Sequence, residues 1–385
     1  MISIYLTLLL APFFLSIYSS LKVEQLSGSQ LTTGLLLLGL SLELLLYILK
    51  NNPKIPNKVA LFLGICLTLS LYIFVIDLSY GKNFLDSLVF PLKILFLLSL
   101  FLASFFHKEK IISKNLVKKF LIWNMIIITI FIGFDYITKG PYYSGIDYGV
   151  SKRPPFFGAF LVSILPGLII NYSRLLITIL GMLIFLTFRR SAWLAFTNGL
   201  FMFFLLSKQR LSRKIVNSLL TIALILISIY LLVAEANLIP IFFKRISDPT
   251  GSGRSIFWKL SLSLFNQEMD YFEKIFGNPT LLRSHLHSTF GIPIGAHSDF
   301  LDFLINYGVV GFLLYFLSII VLFIIFSSKK CSPSSNNKIA AIAGLTAHVT
   351  NSLVSGGFFD TTSTYLFFVL GVIAYAKQET NTIKY

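Results

Sequence analysis

Long apolar runs, broken by short clusters of charge, Gly, Pro or Asn, set the pattern of this chain almost from end to end. Twelve runs stand out, at about 2–18, 31–49, 59–76, 87–106, 120–138, 156–170, 174–188, 191–206, 215–233, 299–326, 339–355 and 362–376. Most reach the roughly 20 residues that a helix needs to cross about 30 Å of hydrocarbon. The runs are continuous rather than alternating, which argues against a β-barrel. Backbone groups in lipid must be satisfied within their own segment, so the runs are predicted to be helices. The first run lacks the positive leading segment of a cleaved signal peptide and is read as a retained span. The expected organisation is nine transmembrane helices in 1–233, one large outer loop in 234–298, and three more transmembrane helices in 299–385.

Composition narrows the class. Only 12% of the 385 residues are charged, about half the share that coats a soluble domain. A soluble enzyme, a disordered chain and a disulfide-rich secreted protein are thereby excluded, leaving an all-α polytopic membrane protein. Two cysteines, Cys66 and Cys331, provide neither a disulfide framework nor a four-ligand zinc site.

The net charge of +16 would suit nucleic acid, but the cations sit in short clusters between apolar runs. That placement points to orientation in the membrane and to anionic lipid, with no nucleic-acid partner. With the N-terminus inside, the inner loops hold 18 Lys and Arg and the short outer loops seven. Both termini are therefore expected in the cytoplasm. The acidic residues lean the other way, with all but Glu43, Glu109 and Glu379 at the outer face, and His285, His287 and His297 lie in the outer loop.

Three clusters carry candidate chemistry. Arg189 and Arg190 share a tight outer turn where the positive-inside rule disfavours them. A guanidinium pair at that depth suits a diphosphate through bidentate N–H···O contacts, the alternative being snorkelling to lipid phosphate. Gly253-Arg254 opens an amphipathic stretch in which Ile256, Leu260, Leu262 and Phe265 share a face and Trp258 suits the headgroup level. A helix N-terminus there favours anions, although a solvated loop arginine explains Arg254 equally well. Finally, His297 enters a span, and Gly308 follows eleven residues later, within about 20° of three full helical turns. A groove for a lipid tail or a neighbouring helix is expected there. A His at a helix start stays neutral near pH 7, as a general base must, though a polar anchor has the same look. A His285–His287–His297 metal trio fits no common zinc spacing. Glu43 and Lys93, inside spans, are further candidates, Glu43 without an evident partner.

These residues resemble the O-antigen ligase and Wzy-type polymerase family of bacterial membrane glycosyltransferases. Its Arg-x-x-x-Leu motif is matched by Arg190 through Leu194. Its His-[Asn/Ser/Gln]-x9-Gly-x-x-[Gly/Thr/Tyr] motif is matched by His297, Ser298, Gly308 and Gly311, and a Gly-Arg…Trp stretch by Gly253, Arg254 and Trp258. Lys152-Arg153 resembles, more weakly, a basic site before an earlier span. The resemblance implies a GT-C-like fold without metal or cofactor, in a bacterial inner membrane with its active site at the periplasmic face. It implies a glycan donor on undecaprenyl diphosphate and a glycan or lipid A–core acceptor, with membrane lipids and other polysaccharide-assembly proteins as partners. His297, Arg190 and Arg254 would be catalytic. Arg189, Arg153, Lys152, Trp258, Gly308 and Gly311 would bind substrate. Ligase and polymerase stay open, and a transporter or flippase for a lipid-linked saccharide is the competing class.

Overall fold

A computed structural model describes residues 2–17, 22–23, 26–139, 153–171, 174–187, 189–207, 254–290, 296, 298–328 and 335–374. Helices account for almost all of it. In chain order they are α1 (Ile2–Ile17), α2 (Gly28–Asn51), α3 (Asn57–Ser79), α4 (Phe84–Phe106), α5 (Lys108–Ser113), α6 (Leu116–Lys139), α7 (Arg153–Asn171), α8 (Arg174–Leu186) and α9 (Arg190–Leu206). After residues outside the description come α10 (Arg254–Ser263), α11 (Tyr271–Phe276), α12 (Leu281–Phe290), α13 (Asp299–Ser327), α14 (Ser335–Ser355) and α15 (Thr364–Ile373). A two-residue antiparallel pair, Lys22–Val23 with Leu26–Ser27, is a small departure from the all-helical expectation.

Eleven of the twelve apolar runs fall on these helices, and 215–233 lies outside the described residues. Five described segments are long and apolar enough to cross a membrane: Gly34–Asn51, Asn57–Ser79, Phe84–Phe106, Leu116–Phe134 and Asp299–Ser327. Four apolar helices are shorter, among them Arg190–Leu206 and Thr364–Ile373. At 1.5 Å per residue they fall short of the hydrocarbon thickness. The shortness of α15 has a packing reason: every residue from Thr364 to Ile373 is buried against other helices.

Polarity sorts the helices by position. α2 turns Leu35, Leu38, Leu42, Leu45, Leu46 and Leu49 outward, the surface expected of a lipid-facing helix. α14 is the most polar long helix, yet it packs against α7, α9, α13 and α15 and buries His348, Asn351 and Ser352. Polar side chains in a membrane bundle belong on inward faces, where other helices supply partners. Small residues let these helices approach closely. A Cβ on Gly199 of α9 would press into Ala347 of α14 and Leu165 of α7, and one on Gly344 of α14 into Pro166 of α7.

α13 is not one straight rod. Gly308 sits inside it at φ 62° and ψ −169°, outside helical geometry. The three-turn count from His297 to Gly308 assumed a helix from His297 on, whereas Ser298 is extended at φ −150° and ψ 117° and the helix begins at Asp299. α10–α12 form a cap over the first turns of α13, with a small core of Leu264, Met269, Leu282, Leu286, Ala296 and Ile305. The expected face of α10 is half right. Leu260 and Phe265 pack on that core, whereas Ile256 and Leu262 stay 51% and 46% exposed and Phe257 and Trp258 take their places. Trp258 packs against that core and is partly buried.

Candidate active site

The start of α13 gathers a dense set of polar contacts. Ser298 precedes the helix, and its carbonyl accepts the Asp302 N–H at 2.8 Å. The Asp302 carboxylate accepts the Ala296 N–H at 2.8 Å. Ala296 and Ser298 are both buried. His297 itself lies outside the described residues. One position into the helix, Asp299 accepts four hydrogen bonds. The Gly357 and Phe358 amides donate at 2.8 and 2.7 Å, the Ser352 hydroxyl at 2.8 Å and the Tyr315 hydroxyl at 3.2 Å. The loop after α14 can wrap the carboxylate because Gly356 and Gly357 take φ +78° and +103°, which side-chain-bearing residues rarely adopt. A Cβ on Gly356 would also stand 2.8 Å from Asp299 Oδ1.

The arginine turn meets this loop from the other side. Arg189 precedes α9 and donates through Nε to Ser191 Oγ at 3.1 Å and through Nη2 to Ser355 Oγ at the end of α14. Around it, Trp193 Nε1 donates to the Ile184 carbonyl at 3.1 Å and its ring stacks on Phe185, which ties the start of α9 to the end of α8. α7 closes the turn from behind, where Gly158 leaves room for Thr187, Arg189 and Ala192. Arg190 opens α9 and is half-buried. Arg153 opens α7, and its side chain, like all of Lys152, lies outside the described residues.

The cap brings in the third cluster. Arg254 is the first residue of α10, and Trp258, one turn on, packs in the same small core as Ala296 and Leu301 beside the α13 start. Gly253 lies outside the described residues. Two glycines, Gly308 of the motif and Gly277 at the end of α11, explain how the cap docks. A Cβ on Gly308 would overlap the Ile275 carbonyl and the Gly277 amide, and one on Gly277 would overlap Asn306 and Tyr307. Two backbones therefore meet directly at the break in α13. Carbonyls released there find new donors: Ile305 accepts the Asn278 N–H at 2.9 Å. The Tyr72 hydroxyl of α3 lies 2.8 Å from the Phe276 carbonyl and 3.0 Å from that of Tyr307, sharing its proton between cap and helix. Irregular backbone inside a membrane bundle is tolerated where protein buries it in this way. Gly311 leaves space for Tyr307 and Tyr72. The place beneath Gly308, expected to hold a lipid tail or a neighbouring helix, is filled by the end of α11.

The arginine turn and the cap are thus both anchored at the start of α13, through Asp299 and through Ala296. Three partners were missed from sequence. Lys93 of α4 pairs with Asp360 of the α14–α15 loop at 2.9 Å. Glu43 accepts the Ser3 amide at 3.2 Å and lies 3.3 Å from His107 Nε2, at the opposite end of α4. Asp299 falls among the nine unspecified positions between Ser298 and Gly308 and had no assigned role. The available signal was Ser355-Gly356-Gly357 ending a polar helix, a turn built to let backbone amides reach a carboxylate. Of the three outer-loop histidines, His285 and His287 lie on α12, with His285 Nδ1 3.8 Å from Glu268.

Residues 175–316 match the family model described as O-antigen ligase. The match runs from α8 to the middle of α13 and includes Arg189, Arg190, Arg254, His297, Gly308 and Gly311. No curated protein and no solved structure matches the chain.

Proposed function

The chain belongs to the O-antigen ligase family through residues 175–316, and on that premise we propose that it transfers a glycan from undecaprenyl diphosphate to an acceptor sugar hydroxyl. The reaction takes place at the periplasmic face of a bacterial inner membrane, in the assembly of lipopolysaccharide or another surface polysaccharide. The observation that carries the reading is the convergence of the arginine turn and the Arg254 cap on the start of α13, immediately after His297 in the chain.

The chemistry follows from charge. The acceptor oxygen attacks the anomeric carbon, the bond from that carbon to the diphosphate oxygen breaks, and the electron pair leaves with undecaprenyl diphosphate. Arg190 and Arg254, with Arg189, Arg153 and Lys152 nearby in the chain's basic clusters, stabilise the charge that develops on the leaving group. Guanidinium suits this work because its planar fork meets two phosphate oxygens at once. His297 accepts the proton of the attacking hydroxyl. Trp258, Gly308 and Gly311 shape the surroundings, Gly308 by letting the cap close on α13 and Gly311 by leaving room for Tyr307 and Tyr72. The lipid A–core of a ligase and the lipid-linked repeat unit of a polymerase are alternative acceptors for the same donor chemistry.

Purified protein in liposomes, given a lipid-linked glycan and an acceptor, tests the reading. A new glycosidic bond is expected. Passage of the lipid-linked glycan across the bilayer without a new bond would instead identify a flippase. A gel of surface glycan from a deletion strain then separates the acceptors: bare core for a lost ligase, a single repeat on lipid A for a lost polymerase.

A further inference from the structure

Asp299 lies within the segment that matches the family model, and so does Tyr315, whereas the other three residues that hold it do not. Ser352, Gly357 and Phe358 all lie beyond residue 316. So does Ser355, to which Arg189 donates. A chain of direct contacts therefore runs from the arginine turn, through Ser355 to the adjoining Gly356-Gly357-Phe358 loop, and back to a carboxylate two residues after His297 in sequence. α9 and α14 pack along their length, with Asn198 Nδ2 of α9 donating to Thr350 Oγ1 of α14 at 3.3 Å. They pack as one body. Asp299 is where that body is fastened to α13.

We propose that Asp299 is a positioning residue for glycan transfer: its carboxylate latches the α9–α14 body to the start of α13 and so sets the register between the arginine turn and His297. The inference rests on the reading above for its functional consequence, but the mechanical coupling stands on its own. A carboxylate is the suited group. It accepts two backbone N–H groups on two oxygens and still has lone pairs for hydroxyls. An asparagine of the same shape presents one acceptor and one amino group, and the amino group would face a backbone N–H. The close approach also accounts for Gly356, where a side chain would collide with the carboxylate.

The test compares wild type, Asp299→Asn and Ser352→Ala in the full chain, reconstituted in liposomes, with two readouts. The first is a spin-label distance between cysteines placed at the exposed Leu353 of α14 and Val309 of α13. The latch predicts a narrow distribution in wild type that broadens in Asp299→Asn and broadens less in Ser352→Ala, which keeps the backbone donors. The second is steady-state transfer from an undecaprenyl-diphosphate-linked glycan. Misplacing reacting groups by an ångström costs on the order of 10²-fold. Asp299→Asn is therefore expected to lower kcat by about 10²-fold with KM for the donor within about twofold, and Ser352→Ala to lower kcat by a few-fold. A purely structural role would lower the folded fraction while leaving kcat per folded molecule unchanged, and that result overturns the proposal. So does a lower kcat with an unbroadened distance, which would make the carboxylate a direct participant. Broadening in a protein whose wild type transfers no glycan would uphold the latch and refute the functional reading.

Discussion

Two carboxylates inside this bundle, Asp299 and Glu43, each draw separate segments together, at opposite ends of α4. Glu43 on α2 joins the first turn of α1 to the end of α4, through the Ser3 amide and His107. Asp299 joins α13 to α14 and to the loop that follows, and both of its oxygens accept backbone amides. Glu43 lies within α2 and Asp299 opens α13, and only Glu43 stood out in the sequence as an ionisable group inside a span. The difference lies in what they fasten. The helices gathered by Glu43 carry none of the family motif residues. The segments gathered by Asp299 adjoin the arginine turn on one side and His297 on the other. A buried acid marks function by the segments it connects, since burial by itself only obliges it to find partners.

The comparison can be broken most severely at the Asp299 end. Gly308→Val would place a branched side chain on a φ of +62° and against the Ile275 carbonyl. The cap should then lift from α13, with transfer lost by at least about 10²-fold. Limited proteolysis of α10–α12 checks the displacement, and an intact cap with full activity would show that the docking does not matter. Gly356→Ala should be milder. Strain at a positive φ costs about 1–3 kcal/mol, and the added methyl crowds Asp299. A drop of roughly tenfold in kcat per folded molecule is expected in a transfer assay. Tyr72→Phe removes the shared hydrogen bond between cap and helix, worth about 1 kcal/mol. It should raise cleavage of the cap by about fivefold, measured by protease titration.

Two further changes address the Glu43 end. Glu43→Gln should leave transfer within about twofold of wild type while lowering the thermal midpoint of the protein; a large loss of transfer would erase the distinction drawn above. The last effect is a pH dependence. Burial, and behind it positive charge that includes Lys110, pushes the His107 imidazole down to about 4. The ring is therefore neutral at pH 7, with its Nε2 3.3 Å from the Glu43 carboxylate. An unfolded histidine titrates near 6.5. Between those values the unfolded chain binds more protons, so this contribution to stability is complete above about 6.5 and is lost as pH falls toward 4. Thermal melts from pH 7 to pH 4 should show His107→Gln losing part of the wild-type slope. Equal slopes would mean that the ring titrates alike in both states.

Much of the helical framework is legible in the sequence because lipid leaves the backbone few choices. Continuous apolar runs such as 59–76 and 87–106 became α3 and α4 with ends shifted by three residues or fewer. The break at Gly308 was not legible. Helical arithmetic places residues on faces only while φ and ψ stay helical, and a glycine pair meeting backbone to backbone is a tertiary event. The buried face of α10 was misjudged for a related reason: the cap core lies toward Phe257 and Trp258, and a ten-residue amphipathic stretch has several plausible faces. Partners for Glu43 and Lys93 come from segments distant in sequence, so only the fold reveals them. The arginine and histidine motifs were legible through their spacing. The carboxylate latch beside them was not, because its other half is a glycine turn with no motif of its own.

The most direct measurement is glycan transfer in liposomes by wild type, Arg190→Ala and His297→Ala, each shown to be folded and inserted. Guanidinium stabilisation of the leaving diphosphate, with an imidazole taking the acceptor proton, predicts a new glycosidic bond with wild type. Losses of about 10²–10⁴-fold are expected in both variants. Undiminished transfer by either variant, or no bond formed by wild type, would contradict it.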